Sequence, residues 1–277
     1  MLKSIPEKIV LLCVLLIINS ACFSETINAI TSEKVTTAYF TSFDGTKIYY
    51  EVAGTGKPVI LVHGFTGTSQ GWKHGALYQD LITNGFKVIS LDLRGNGKSD
   101  KPTSAKGYEN DAEAKDIIGL ANHLKIKNYD VVGYSRGSII TARVLVLDNN
   151  VHKAVLGGMG TGFTDPQWPR RIMFYKALSG EPVKELEGFI KSIKQRGLDQ
   201  QSLAFQQKEQ PSTSPAELAK IKIPVLLISG DQDSDNGSAK ELSELIPGSE
   251  IETTPGDHDH ASQTPEFSKA VIGFLKK

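Results

Sequence analysis

The chain has 277 residues, of which 39% are hydrophobic and 22% charged, a balance that suits one compact domain with a filled core. Lys+Arg and Asp+Glu both number 31, and no Lys/Arg block stands out along the chain. With neither a net field nor a basic groove, no nucleic-acid partner is expected.

Residues 1–24 differ from everything after them. MLKSIPEK is lysine-bearing, IVLLCVLLII (residues 9–18) is unbroken and apolar, and the small residues of NSACFS follow. This is the layout of a cleaved export signal. The apolar run is about half of the roughly 20 residues a spanning helix needs, so no membrane span is expected. Cys13 and Cys22 are the two cysteines of the chain, and both lie in this segment. The mature domain therefore has no internal disulfide. Cys22 after Ser20-Ala21 is similar to the site where bacterial lipoproteins are cleaved and acylated, although Asn19 departs from the usual apolar residue. The expectation is an exported protein, periplasmic or extracellular, with a lipid anchor at Cys22 as the alternative.

VTTAYFTSF and KIYYEVA flank Asp44-Gly45 and predict a hairpin over residues 35–53. KPVILVHGF, FKVISLDLRGNGKS and YDVVGYSRG then each give a short continuous apolar run ending near glycine. Such runs suit parallel strands buried on both faces. ALYQDLITNG and ENDAEAKDIIGLANHL between them carry helical periodicity, the first closing on Gly85. The alternation predicts an α/β fold with a mostly parallel sheet wrapped by helices. It resumes with VHKAVLGG and IPVLLISGD, separated by about sixty residues that lack a strand signal. That stretch predicts a helical cap over 159–218, inserted into a core of 30–158 and 219–277. A strand near IETT, the loop PGDHDH and a helix starting at Thr264-Pro265 close the chain.

The chemistry concentrates where strands end. Gly133-x-Ser135-x-Gly137 stands between a strand and a helix, the setting of a nucleophile elbow. There a strained turn projects the serine hydroxyl, and flanking glycines let the two backbones approach. HGFTG (63–67) follows a strand and can offer the Phe65 backbone N–H to an oxyanion. GDQDSD follows another strand with Asp231 and Asp233 as candidate acids, and PGDHDH supplies His258 and His260. The order Ser, Asp, His, each after its own strand, suits a nucleophile, an orienting acid and a base.

HGF (63–65), DLRGNGKS (92–99), GYSRG (133–137), GDQD (230–233) and the histidine loop before PEFSKAVIGFL together resemble the α/β-hydrolase family over residues 35–277. The resemblance implies an eight-stranded, mostly parallel sheet flanked by helices, with a single small helical cap over a buried serine. It implies Ser135 as nucleophile, Asp233 as acid and His258 ahead of His260 as base, with the Phe65 and Arg136 N–H groups as oxyanion hole. Phe65, Tyr134, Trp168 and Phe174 are the candidates to line a substrate pocket. The Arg136 side chain is read as an ion-pair or surface group, and Arg170 and Arg171 as a solvated face, with contact to a carboxylate or phosphate as the alternative. Ser138 stands where many relatives have a second glycine.

The expected function is a secreted serine hydrolase acting on a small to medium, partly apolar ester, lactone or related acyl substrate. No cofactor and no metal are expected. A carbon–carbon bond hydrolase or a perhydrolase-like enzyme on the same triad is the alternative. A non-catalytic ligand-binding protein on this fold is the remote one.

Overall fold

The computed structural model describes residues 35–277, so the export segment expected at 1–24 and the anchor at Cys22 lie outside the described residues. The apolar runs form one eight-stranded sheet. In chain order its strands are β1 (Thr36–Thr41), β2 (Lys47–Ala53), β3 (Lys57–Val62), β4 (Phe86–Leu91), β5 (Tyr129–Tyr134), β6 (Val151–Gly157), β7 (Val225–Gly230) and β8 (Glu250–Thr254). In space the order is β1-β2-β4-β3-β5-β6-β7-β8. β2 runs antiparallel to both β1 and β4, and every other pairing is parallel. At the β1–β2 turn Gly45 has φ +89°, and the Thr46 N–H donates to the Asp44 carboxylate at 3.1 Å.

The helices are α1 (Leu77–Thr83), α2 (Ala112–His123), α3 (Arg136–Leu147), α4 (Pro169–Leu178), α5 (Glu187–Gln195), α6 (Gln200–Lys208), α7 (Pro215–Leu218), α8 (Ala239–Leu245) and α9 (Pro265–Lys276). α1 ends before Gly85, which takes φ +80°. At the start of α9 the Thr264 hydroxyl accepts the Phe267 N–H at 3.1 Å. Among the described residues no helix is long and apolar enough to cross a membrane.

Successive side chains of a strand point to opposite faces, which is why the central strands are apolar without interruption. Ile60 and Val62 of β3 enter a core shared with Ile117 of α2, Ile139 of α3 and Leu242 of α8. Val59 and Leu61, their neighbours, enter a second core with Leu81 of α1 and Val271 of α9. β5 splits in the same way, Val131 to the first core and Val132 to the second. Each such side chain, fully buried, contributes about 1.5–3 kcal/mol. A polar residue at either parity would be stranded in one of the two cores.

Between β6 and β7 the chain carries α4–α7, of which α4, α5 and α6 share a small apolar core around Leu178, Ile193, Leu203 and Ala204. Phe163 instead joins the main core beside Met159. Gln206 of α6 ties this segment to the sheet domain, donating to the Arg94 carbonyl at 2.9 Å and the Asn96 side-chain oxygen at 2.6 Å.

The strand order locates the site. From β3 the chain passes to β4 on one side and later to β5 on the other. The crevice outside the carboxyl ends of β3 and β5 is therefore the switch point at which open α/β sheets hold ligands. His63–Phe65 leaves β3 there and Ser135 leaves β5 there.

Candidate active site

Ser135 is the residue between β5 and α3, with φ +55° and ψ −127°. A non-glycine residue in this region is strained, by about 1–3 kcal/mol. Two glycines make the turn possible. A Cβ on Gly133 would overlap the Gly137 carbonyl oxygen, and one on Gly137 would overlap the Val62 carbonyl oxygen. The Ser135 N–H donates to the Gly157 carbonyl at 2.8 Å, fixing the turn against β6. Ser138 has a use for its hydroxyl, which lies 2.8 Å from the Gly157 carbonyl and 3.0 Å from that of Gly133.

His258 Nε2 lies 2.8 Å from Ser135 Oγ, and its Nδ1 lies 2.9 Å from Asp233 Oδ2. A carboxylate only accepts, so Nδ1 carries the proton and Nε2 is left to accept from the serine hydroxyl. Burial pushes the imidazole pKa down, but the hydrogen bond and charge of Asp233, with Asp235 and Asp259 nearby, outweigh it and the pKa is raised. His260 points away: its side chain is 71% exposed and bonds Asp257 at 2.6 Å. Asp231 accepts the Gly256 N–H at 2.9 Å, holding the histidine loop against the end of β7. Asp235 is exposed.

The candidate oxyanion donors flank the serine. Gly64 packs so closely that a Cβ on it would sit 3.2 Å from Ser135 Cβ, which brings the following Phe65 to the pocket that Ser135 and Arg136 also line. Arg136 opens α3, so its N–H is one of the helix's first donors, which have no acceptor within the helix. The DLRGNGKS loop braces this arrangement. Asn96 donates to the Phe65 carbonyl at 2.9 Å and the Gly67 carbonyl at 3.1 Å. Asp92 accepts the Ser69 N–H at 2.7 Å and the Lys98 N–H at 2.8 Å. Ser99 and Asp100 face the hairpin, accepting the N–H groups of Tyr49 and Lys47 at 2.8 Å each. His63 is also structural: its Nε2 accepts the Leu93 N–H at 3.0 Å, and burial holds its pKa below the ordinary imidazole value.

A small cavity of about 80 Å³ opens over Ser135, with Phe65, Trp168 and Phe174 in its wall. Phe65 and Phe174 meet edge to face at 6.1 Å. Tyr134, predicted to share this wall, does not. It is buried beneath the histidine loop, its ring 5.4 Å from that of His258 and its hydroxyl donating to the His258 carbonyl at 2.8 Å. The residue before an elbow serine is still on the strand, and its side chain alternates inward; its role is to position His258.

Arg136 is an ion-pair group and not a surface one. It is 3% exposed and bonds Glu113 of α2 with both guanidinium arms, at 2.8 and 2.5 Å, and the Gln206 carbonyl at 3.0 Å. Arg170 and Arg171, predicted to be solvated, line the cavity, because the first turn of α4 faces it. Two further residues carried no sequence signal. Glu113 stands among ordinary helix-start acids, and Asn236 sits in a loop without a motif. The Asn236 amide nitrogen comes within 3.3 and 3.4 Å of the two His258 ring nitrogens.

Comparison with known proteins agrees with this architecture. The alpha/beta hydrolase fold family matches residues 57–178, from β3 to the end of α4. The chain is 26% identical to a non-heme haloperoxidase of Rhodococcus erythropolis, over 79% of this chain and 91% of that protein. It is 33% identical to 2-hydroxy-6-oxononadienedioate/2-hydroxy-6-oxononatrienedioate hydrolase 1 of Pseudomonas putida, over 56% of this chain and 57% of that protein. Among solved structures, the esterase RhEst1 of Rhodococcus sp. superposes with a TM-score of 0.67 at 27% identity, covering 87% of this chain and 98% of the esterase. With this sheet order and these matches, the chain belongs to the α/β-hydrolase family.

Proposed function

We propose that the protein is a serine hydrolase that cleaves a small, partly apolar acyl substrate, with an ester or lactone as the preferred class. The observation that carries this reading is the hydrogen-bonded run from Asp233 through His258 to Ser135, at 2.9 and 2.8 Å. His258 takes the hydroxyl proton as Ser135 Oγ bonds to the carbonyl carbon. The Phe65 and Arg136 N–H groups then receive the oxyanion. The ester C–O bond breaks, the leaving alcohol takes the proton from His258, and water repeats the sequence to free the acid and restore Ser135. Asp233 holds the imidazole tautomer and stabilises its charged form.

The cavity of about 80 Å³ supports a short acyl group, and its aromatic wall supports an apolar portion. The names of the relatives support two other outcomes on the same triad, carbon–carbon bond hydrolysis and a perhydrolase-like reaction. The lysine-bearing start and apolar run of residues 1–24 support export, with tethering through Cys22 as the alternative.

A fluorophosphonate probe tests the class. Labelling of folded wild type that is lost in Ser135→Ala is the expected result. Unlabelled Ser135 in folded protein leaves a ligand-binding member of the fold and removes the enzyme reading. A series of p-nitrophenyl esters of rising chain length then ranks substrates, with activity falling beyond short acyl chains.

A further inference from the structure

The residues lining the cavity above Ser135 include three arginines, Arg136, Arg170 and Arg171, and no aspartate or glutamate. Their partners differ. Arg136 is matched by Glu113. Arg170 lies 3.8 Å from Asp235, a pair open to water on both sides and therefore weak. Arg171 has no carboxylate within ion-pair distance among the described residues. Its arms donate to the carbonyls of Gln207 at 3.1 Å, Lys208 at 2.8 Å and Pro166 at 2.5 Å. Its Nε is buried and meets no acceptor. A guanidinium does not shed its proton at neutral pH, so a part-buried one keeps its charge and an unused donor.

The placement adds to the effect. Arg170 and Arg171 both stand in the first turn of α4, where the exposed backbone N–H groups already carry positive partial charge and no acidic residue compensates. Cations at this end of a helix are unfavourable unless an anion answers them. Ser135 and His258 line the same cavity as these arginines.

The geometry points to an anion subsite, in which Arg171 and Arg170 hold a carboxylate borne by the substrate while Ser135 attacks its ester carbonyl. The planar fork of arginine matches a carboxylate, and the aromatic residues take the apolar remainder. This inference rests on the serine-hydrolase reading and narrows its substrate class to carboxylate-bearing esters.

Matched substrates test it. The mono-p-nitrophenyl ester of glutaric acid is compared with p-nitrophenyl pentanoate, and 4-acetoxybenzoate with phenyl acetate, so the charge is placed on either side of the ester. Wild type should favour the charged member of at least one pair by about tenfold or more in kcat/KM, which corresponds to about 1.4 kcal/mol. Arg171→Gln should lower that ratio by about tenfold, and Arg171→Lys should restore part of it. No preference in either pair, or a ratio that Arg171→Gln leaves unmoved, overturns the subsite. Fluorophosphonate labelling of Ser135, run in parallel, keeps the two readings separate. If labelling fails, calorimetric titration of Ser135→Ala with the glutarate monoester decides the subsite alone. Binding weakened about tenfold by Arg171→Gln in that background supports it, and equal binding overturns it.

Discussion

Removing the carboxylate of Glu113 should destabilise the domain severely although Glu113 lies outside the candidate triad. Both members of its pair with Arg136 are 3% exposed. Two guanidinium arms meet two carboxylate oxygens, at 2.8 and 2.5 Å, with Phe65 5.9 Å from the guanidinium carbon and the Gln206 carbonyl as the remaining acceptor. Glu113→Ala deletes two charge-assisted hydrogen bonds and strands a cation that cannot neutralise itself. Breaking a buried pair from one side costs about 3–5 kcal/mol. With a urea m-value of about 3 kcal/mol/M for a domain of this size, the unfolding midpoint should fall by about 1–1.7 M. Glu113→Gln keeps hydrogen-bonding atoms and loses the charge, so it should fall between. The double variant Glu113→Leu with Arg136→Met removes both charges and should recover most of the loss, since well-packed apolar replacements of buried pairs are often neutral. Urea titration followed by far-UV circular dichroism measures all three. A Glu113→Ala loss below about 1 kcal/mol, or a double variant no better than the single, would refute the view that an uncompensated charge is what destabilises.

His258→Ala should lower ester turnover by about 10³-fold or more, whereas His260→Ala, whose side chain faces water, should stay within about threefold of wild type; the reverse pattern in parallel kinetics would reassign the base. The imidazolium form of His258 cannot accept the serine proton, so kcat/KM should fall as pH drops through a pKa raised above 6.5. Asp233→Asn removes the hydrogen bond and charge that raise that pKa, so its acid limb should move to lower pH while kcat/KM drops by about 10⁴-fold. An acid limb that stays in place would show that another group controls it. Ser135→Gly should unfold at a higher temperature than Ser135→Ala, by about 2–6 °C, because glycine relieves about 1–3 kcal/mol of strain at φ +55°. Equal melting temperatures in a thermal scan would mean that the turn is not strained.

Much of this molecule was legible in short windows of sequence. A strand buried on both faces must be apolar at consecutive positions, so PVILV, VISL and VVGY read as parallel strands without any partner in view. Gly133 and Gly137 stand out for a similarly local reason: the turn between strand and helix has no room for a Cβ at either place. The order of Ser135, Asp233 and His258 along the chain is also set locally, each residue following its own strand.

What needed the tertiary structure is whatever depends on direction or on distant neighbours. PGDHDH offers two histidines two residues apart, and composition cannot separate them. The loop is fixed from outside, by Asp231 holding Gly256 and by Tyr134 holding the His258 carbonyl, and that turns His258 inward and His260 to water. The direction of Tyr134 depends on the strand in the same way, since alternation along β5 decides which way the residue before the serine faces. Arg136 finds Glu113 across 23 positions, and Arg170 and Arg171 face the cavity only because α4 lies over the sheet with its first turn toward Ser135. Sequence determines which groups a chain possesses and where its backbone can turn. Which charges meet, and which one lines a cavity without a counter-charge, is decided by how the helices between β6 and β7 come to rest on the sheet.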